Sequence, residues 1–101
     1  MKKVMVQFNI QGMTAEQYDQ VWKQLLAADQ ISPTGLLYHV GGQQADNWVV
    51  FELWQSEKAF DKFNETLLTV LGNCGIDITG INQVITPVHY EHEGADLALA
   101  F

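Results

Sequence analysis

The chain contains no arginine. Its five basic residues are all lysines (Lys2, Lys3, Lys23, Lys58 and Lys62), set against twelve acidic residues for a net charge of −7. That balance has the wrong sign for a phosphate backbone, so no nucleic-acid partner is expected. A site for a phosphorylated cofactor or a dicarboxylate ordinarily presents a bidentate guanidinium, which this chain cannot supply. Gly-x-Gly-x-x-Gly and P-loop spacings are missing too, and Gly41-Gly42 reads as a turn doublet. Cysteine is nearly absent: Cys74 stands alone, which excludes an intrachain disulfide and makes a reducing cytoplasm the expected setting. No apolar run approaches the roughly 20 residues of a membrane span, so no membrane partner is expected. Met1-Lys2-Lys3 resembles the start of a signal peptide, but Gln7, Asn9 and Gln11 interrupt the apolar stretch that should follow.

Charge as a whole is also scarce, at 17% of residues against about a quarter in ordinary domains. The 101 residues suit one domain over 1–101, and a core of that size is small. With 48% apolar residues, part of the outer surface is expected to be covered by a second copy of the chain.

Periodicity gives the elements. Val4, Val6, Phe8 and Ile10 alternate with Met5, Gln7 and Asn9, which predicts a strand from Lys3 to Ile10. Thr14-Ala15-Glu16-Gln17 reads as a capping box, and Met13 and Tyr18 stand at the positions of a hydrophobic staple. Tyr18, Val21, Trp22, Leu25 and Leu26 then form one stripe of an amphipathic helix. Strands are predicted at Leu36 to Val40 and Trp48 to Trp54, joined by a polar turn over residues 41–47. Ser56 caps a second helix whose stripe runs Phe60, Phe63, Leu67, Val70, Leu71 and Cys74. Ile81 to Val88 is the fourth strand, with Pro87 restricting it to an edge. Leu97, Leu99 and Phe101 in the tail are candidates to dock on the body.

The order β-α-β-β-α-β predicts a ferredoxin-like α+β fold: a four-stranded antiparallel sheet with two helices on one face. In the third strand Val49, Phe51 and Leu53 share one side, and Trp48, Val50, Glu52 and Trp54 share the other. Both sides are mostly apolar, so both need cover. With the helices over Val49, Phe51 and Leu53, the face carrying Trp48, Val50 and Trp54 is left for a partner's sheet.

The segment Trp54-Gln55-Ser56-Glu57-Lys58-Ala59-Phe60, a W-x-S-x-x-A-F at the strand–helix junction, and the G-L-x-x-H strand opening Gly35-Leu36-Leu37-Tyr38-His39 resemble the dimeric α+β barrel superfamily. The nearest resemblance is to antibiotic-biosynthesis-monooxygenase-like proteins, over Val4 to Val88. It implies a homodimer in which the sheets of two subunits pack as a dimeric α+β barrel. It also implies a pocket between sheet and helices for a small hydrophobic or aromatic ligand. The haem-degrading branch does not fit: its asparagine, tryptophan and ligating histidine fall here on Phe8, Phe63 and Asn73, and the second helix has no histidine to serve as axial ligand.

His39 is the principal candidate for chemistry. It interrupts an apolar strand, where a polar ring must find a partner or face a cavity, and an imidazole can take a proton from a phenol or enol. The competing reading is a core histidine bonded to a backbone carbonyl. Gln7, Asn9 and Glu52 lie on strands expected to be adjacent, and are expected to converge as a polar patch, either for a substrate oxygen or as a network at a dimer interface. Tyr38, Trp54 and Phe63, with Tyr18, Trp22 and Phe60, line a pocket for a flat substrate or simply fill the core. His89 and His92 have no third inward ligand in view, so no metal is expected; no flavin or haem is expected either. Two functions stay open: a cofactor-independent monooxygenase with His39 as base, or a non-enzymatic dimer that binds a small molecule or serves as an interaction module.

Overall fold

The computed structural model describes residues 2–30 and 32–92, so Leu97, Leu99 and Phe101 lie outside the described residues. The elements are β1 (Val4–Gln11), α1 (Ala15–Ala27), β2 (Leu36–Gln44), β3 (Asn47–Trp54), α2 (Glu57–Asn73), a 3-10 turn (Ile78–Gly80) and β4 (Ile81–Pro87). The strands form one antiparallel sheet in the order β2-β3-β1-β4. This is the ferredoxin-like arrangement the sequence predicts, with Pro87 on an edge strand. Among the described residues, no helix is long and apolar enough to cross a membrane.

Both helices start where their caps place them. Thr14 accepts from the Gln17 amide at 3.2 Å, while the Gln17 side chain accepts from the Thr14 amide at 3.0 Å, the reciprocal capping box. Ser56 Oγ accepts from the Ala59 amide at 3.2 Å. The two helices are held unequally: α2 buries Phe60, Phe63, Leu67, Val70 and Leu71, whereas α1 buries only Val21 and Leu25. Leu26, expected on the α1 stripe, is 61% exposed and faces away from the core.

The face covered by the helices is the reverse of the expectation. Trp48, Val50, Glu52 and Trp54 are buried beneath α1 and α2, while Phe51 is exposed on the open side together with Val40, Tyr38 and Val84. The reason lies in β1. Its register sets Val4 opposite Trp54, Val6 opposite Glu52, Phe8 opposite Val50 and Ile10 opposite Trp48. Those four β1 residues are an uninterrupted apolar row, whereas the other parity carries Gln7, Asn9 and Gln11, so β1 decides which side of β3 goes inward.

The β2–β3 hairpin is longer than predicted. Gly41, Gly42, Gln43 and Gln44 are strand, paired in register down to Gln44–Asn47, and the turn is only Ala45-Asp46, with Ala45 in the left-handed region at φ 53°. Gly41 is a glycine because of what it meets. A Cβ there would stand 3.1 Å from both Trp48 Nε1 and the Tyr18 hydroxyl.

Candidate active site

The pairing of β2 with β3 places His39 directly across from Glu52, on the face under the helices. His39 Nδ1 lies 2.6 Å from Glu52 Oε2. The other carboxylate oxygen accepts from the Trp54 indole Nε1 at 2.9 Å. A carboxylate only accepts, so the imidazole proton sits on Nδ1, and Nε2 is left with a lone pair. In the neutral imidazole that lone pair accepts a hydrogen bond from the Tyr18 hydroxyl, which α1 delivers from the capping-box turn. Tyr18, His39, Glu52 and Trp54 thus form one continuous chain of hydrogen bonds from a helix, through two strands, to the strand–helix corner.

Each member is fixed from behind. Trp54 is fully buried, packed at 5.6 Å edge-on to Phe60 and at 5.4 Å from Phe63, and this holds its indole N–H toward Glu52. The Trp22 ring stands edge-on to His39 at 4.8 Å, and Trp48 lies 4.7 Å from the Tyr18 ring. Among the described residues Trp48 Nε1 is a buried donor without a partner, beside the position a Cβ on Gly41 would take. Burial raises the pKa of the Tyr18 phenol above its ordinary value; the neighbouring Trp22 side chain opposes this, and the carboxylates of Glu52 and Asp19 add to it. Tyr18 is therefore a neutral donor at physiological pH.

The chain borders a cavity of about 40 Å³ between the helices and the sheet. Most of its lining is buried and apolar, including Phe8, Val21, Leu25, Phe63 and Leu67. Tyr18, Trp22 and His39 are the lining residues that reach solvent, and they make its rim. The His39 side chain is 18% exposed and that of Glu52 only 4%, so a ligand can meet the imidazole while the carboxylate stays dry.

Of the residues named from sequence, His39, Glu52 and Phe63 line this cavity, and Trp54 supports it through Glu52. Gln7, Asn9 and Tyr38 do not. Gln7 pairs with Phe51, Asn9 with Val49 and Tyr38 with Leu53, all on the open face of the sheet. The expected convergence of Gln7 and Asn9 with Glu52 is therefore corrected. The strands are adjacent, but the side chains have opposite parity, and the sheet separates them. Tyr18 has a larger part than the sequence suggested, because its link to His39 runs between a helix and an edge strand 21 positions on. Among the described residues, no three His, Cys, Asp or Glu side chains gather as a metal-holding set, and His89 and His92 are exposed beyond β4.

No family model matches the chain, and no curated protein does. Solved structures do, and they share its ferredoxin-like fold. The chain is similar to SnoaB, a cofactor-independent oxygenase from Streptomyces nogalater (12% identity, TM-score 0.58, covering 92% of this chain and 97% of that one). It is similar also to the ActVA-Orf6 monooxygenase of Streptomyces coelicolor, solved with Nanaomycin D (13% identity, TM-score 0.61, 91% and 92% covered). A dimeric ferredoxin-like protein of unknown function from Thermobifida fusca matches at 12% identity and TM-score 0.61, over 86% of this chain and 92% of that one. At such identities the likeness establishes the fold.

Proposed function

We propose that the chain is a cofactor-independent monooxygenase acting on a small, electron-rich phenol or quinol. The observation that carries this reading is the Glu52–His39–Tyr18 chain at the rim of an apolar cavity. A substrate hydroxyl presented where the Tyr18 hydroxyl now rests meets the Nε2 lone pair and gives up its proton. Glu52 keeps the imidazole in the accepting tautomer and stabilises the cation that forms. The ring, now electron-rich, reacts at carbon with dioxygen. In the keto tautomer of the phenol the reacting ring carbon is a CH₂ group, and that CH₂ and O₂ become a carbonyl and water, so the substrate itself supplies every electron, and the scheme needs no flavin, haem or metal. Further support comes from the fold neighbours: one is named a cofactor-independent oxygenase, and another is a monooxygenase solved with Nanaomycin D.

In the same reading, residues 1–101 are one domain, two copies pack sheet to sheet as a dimeric α+β barrel, and the protein works in the cytoplasm. The apolar open face and the dimeric Thermobifida fusca neighbour support the pairing. The small volume of the cavity favours a second reading, a non-enzymatic dimer that binds a small hydrophobic molecule. An oxygen electrode separates them. With a panel of quinols and polyphenols, the oxygenase consumes one O₂ per carbonyl formed. No uptake with any member, while a phenol still quenches tryptophan fluorescence saturably, selects the binding protein.

A further inference from the structure

The cavity behind the rim does not match a ring-shaped occupant. Its volume is about 40 Å³, whereas an apolar cavity that takes benzene measures about 150 Å³, and one water needs about 10–15 Å³. Water fits by volume but gains little there. A buried water needs two to four polar partners, and the polar groups on this wall, Tyr18, His39 and Glu52, are already committed to one another and to Trp54. The rest of the wall is Phe8, Val21, Leu25, Phe63, Leu67 and Leu71 with other apolar side chains. Such a space favours a small, uncharged, apolar molecule over both water and an aromatic ring.

We propose that this cavity is a holding site for molecular oxygen beside His39. The identity of the gas rests on the oxygenase reading above; the capacity to hold a small apolar gas rests on the cavity alone. The phenol then docks at the rim, against Tyr18, Trp22 and His39, and not inside. Its deprotonated ring lies between the base and the stored gas. The two reactants thus occupy two ends of one pocket, and the inner end is too small for the ring. The cavity wall determines how oxygen binds, and the rim determines how the phenol binds.

Xenon is the probe, because it shares the apolar character of dioxygen and does no chemistry. Methyl carbon–proton spectra of the unaltered chain under rising xenon pressure should show saturable shifts confined to the methyl groups that line the cavity, such as those of Val21, Leu25, Val50, Leu67 and Leu71. Leu67→Phe and Val21→Ile, which thicken the wall, should shrink those shifts while circular dichroism is unchanged. With a turned-over phenol, the same variants should raise the KM for oxygen by about fivefold or more and leave the KM for the phenol unchanged. Xenon shifts that are absent, or that fail to saturate, or that spread to open-face methyls such as Val40 and Val84, overturn the proposal. That first measurement decides the matter even where a thickened variant fails to fold. Saturable xenon binding without oxygen uptake on any phenol supports the gas cavity and defeats the oxygenase reading; uptake without xenon binding does the reverse.

Discussion

His39 uses both ring nitrogens, and each bond has a different origin. The bond to Glu52 is a cross-strand pair fixed by the hairpin register, while the bond to Tyr18 depends on where α1 settles over the sheet. The first was partly legible in the sequence, since an imidazole in an apolar strand requires a partner and Glu52 is the acidic residue of β3. The second was not, because no local pattern encodes the distance between a helix and an edge strand. Tyr18 also gives a consequence that can be measured. Its folded-state pKa lies above the unfolded value of 10.0, so between the two the native state holds the phenolic proton more tightly. The stability this contributes is complete below pH 10.0 and is lost as pH rises through the folded value. Urea unfolding at pH 8 to 11.5 should therefore show stability falling above pH 10, with a shallower fall in Tyr18→Phe. Equal slopes in the two proteins would remove Tyr18 from the account.

The elements fit together through the two motif segments. Gly35 opens β2 at φ 95°, and a Cβ there would stand 2.6 Å from Ala59 Cβ on α2. The Gln55 amide donates to the Gly35 carbonyl at 2.8 Å, closing the same corner. The G-L-x-x-H and W-x-S-x-x-A-F segments are therefore two sides of one contact, which sets the start of α2 and, through Trp54, the Glu52 carboxylate. Gly35→Ala adds a left-handed penalty of about 1–2 kcal/mol and an overpacking penalty of about 1–3 kcal/mol. The expected loss on urea unfolding is about 2–5 kcal/mol. A change below about 0.5 kcal/mol, the range of an ordinary surface substitution, would show that the corner is loose. At this scale the sequence was most readable: caps, stripes and strand order all follow from local chemistry. Its misreadings were Leu26, expected on the α1 stripe but exposed, and the Gly41-Gly42 pair, taken for a turn by composition, where Gly41 instead lets Trp48 and Tyr18 approach a strand backbone.

At the scale of the whole molecule, the described residues leave one sheet face uncovered by the helices. A row of Val40, Phe51, Gln7 and Val84 crosses the four strands there, and Val40, Phe51 and Val84 are each more than two-fifths exposed. The sequence predicted a two-sided apolar sheet correctly but placed the sides in reverse, because β3 read alone is apolar on both parities and only β1 separates them. Val50, once a candidate for the interface, is a core residue at 5% exposure, and the test of pairing belongs at Phe51. A phenylalanine side chain contributes roughly 1.5–3 kcal/mol on full burial, and Phe51→Asp puts a charge from each copy into the proposed contact. Light scattering should show a dimer for the parent chain and monomer or aggregate for Phe51→Asp, with concentration-dependent unfolding only in the parent. A parent that stays an 11.4 kDa monomer at micromolar concentration contradicts this. The central claim, however, is that the imidazole held by Glu52 is the base of an oxygen-consuming reaction. It is tested most directly by the oxygen uptake of His39→Ala on a turned-over phenol, with folding and association checked to match the parent. The account predicts a loss of turnover of about 10²- to 10⁴-fold; turnover equal to that of the parent would contradict it.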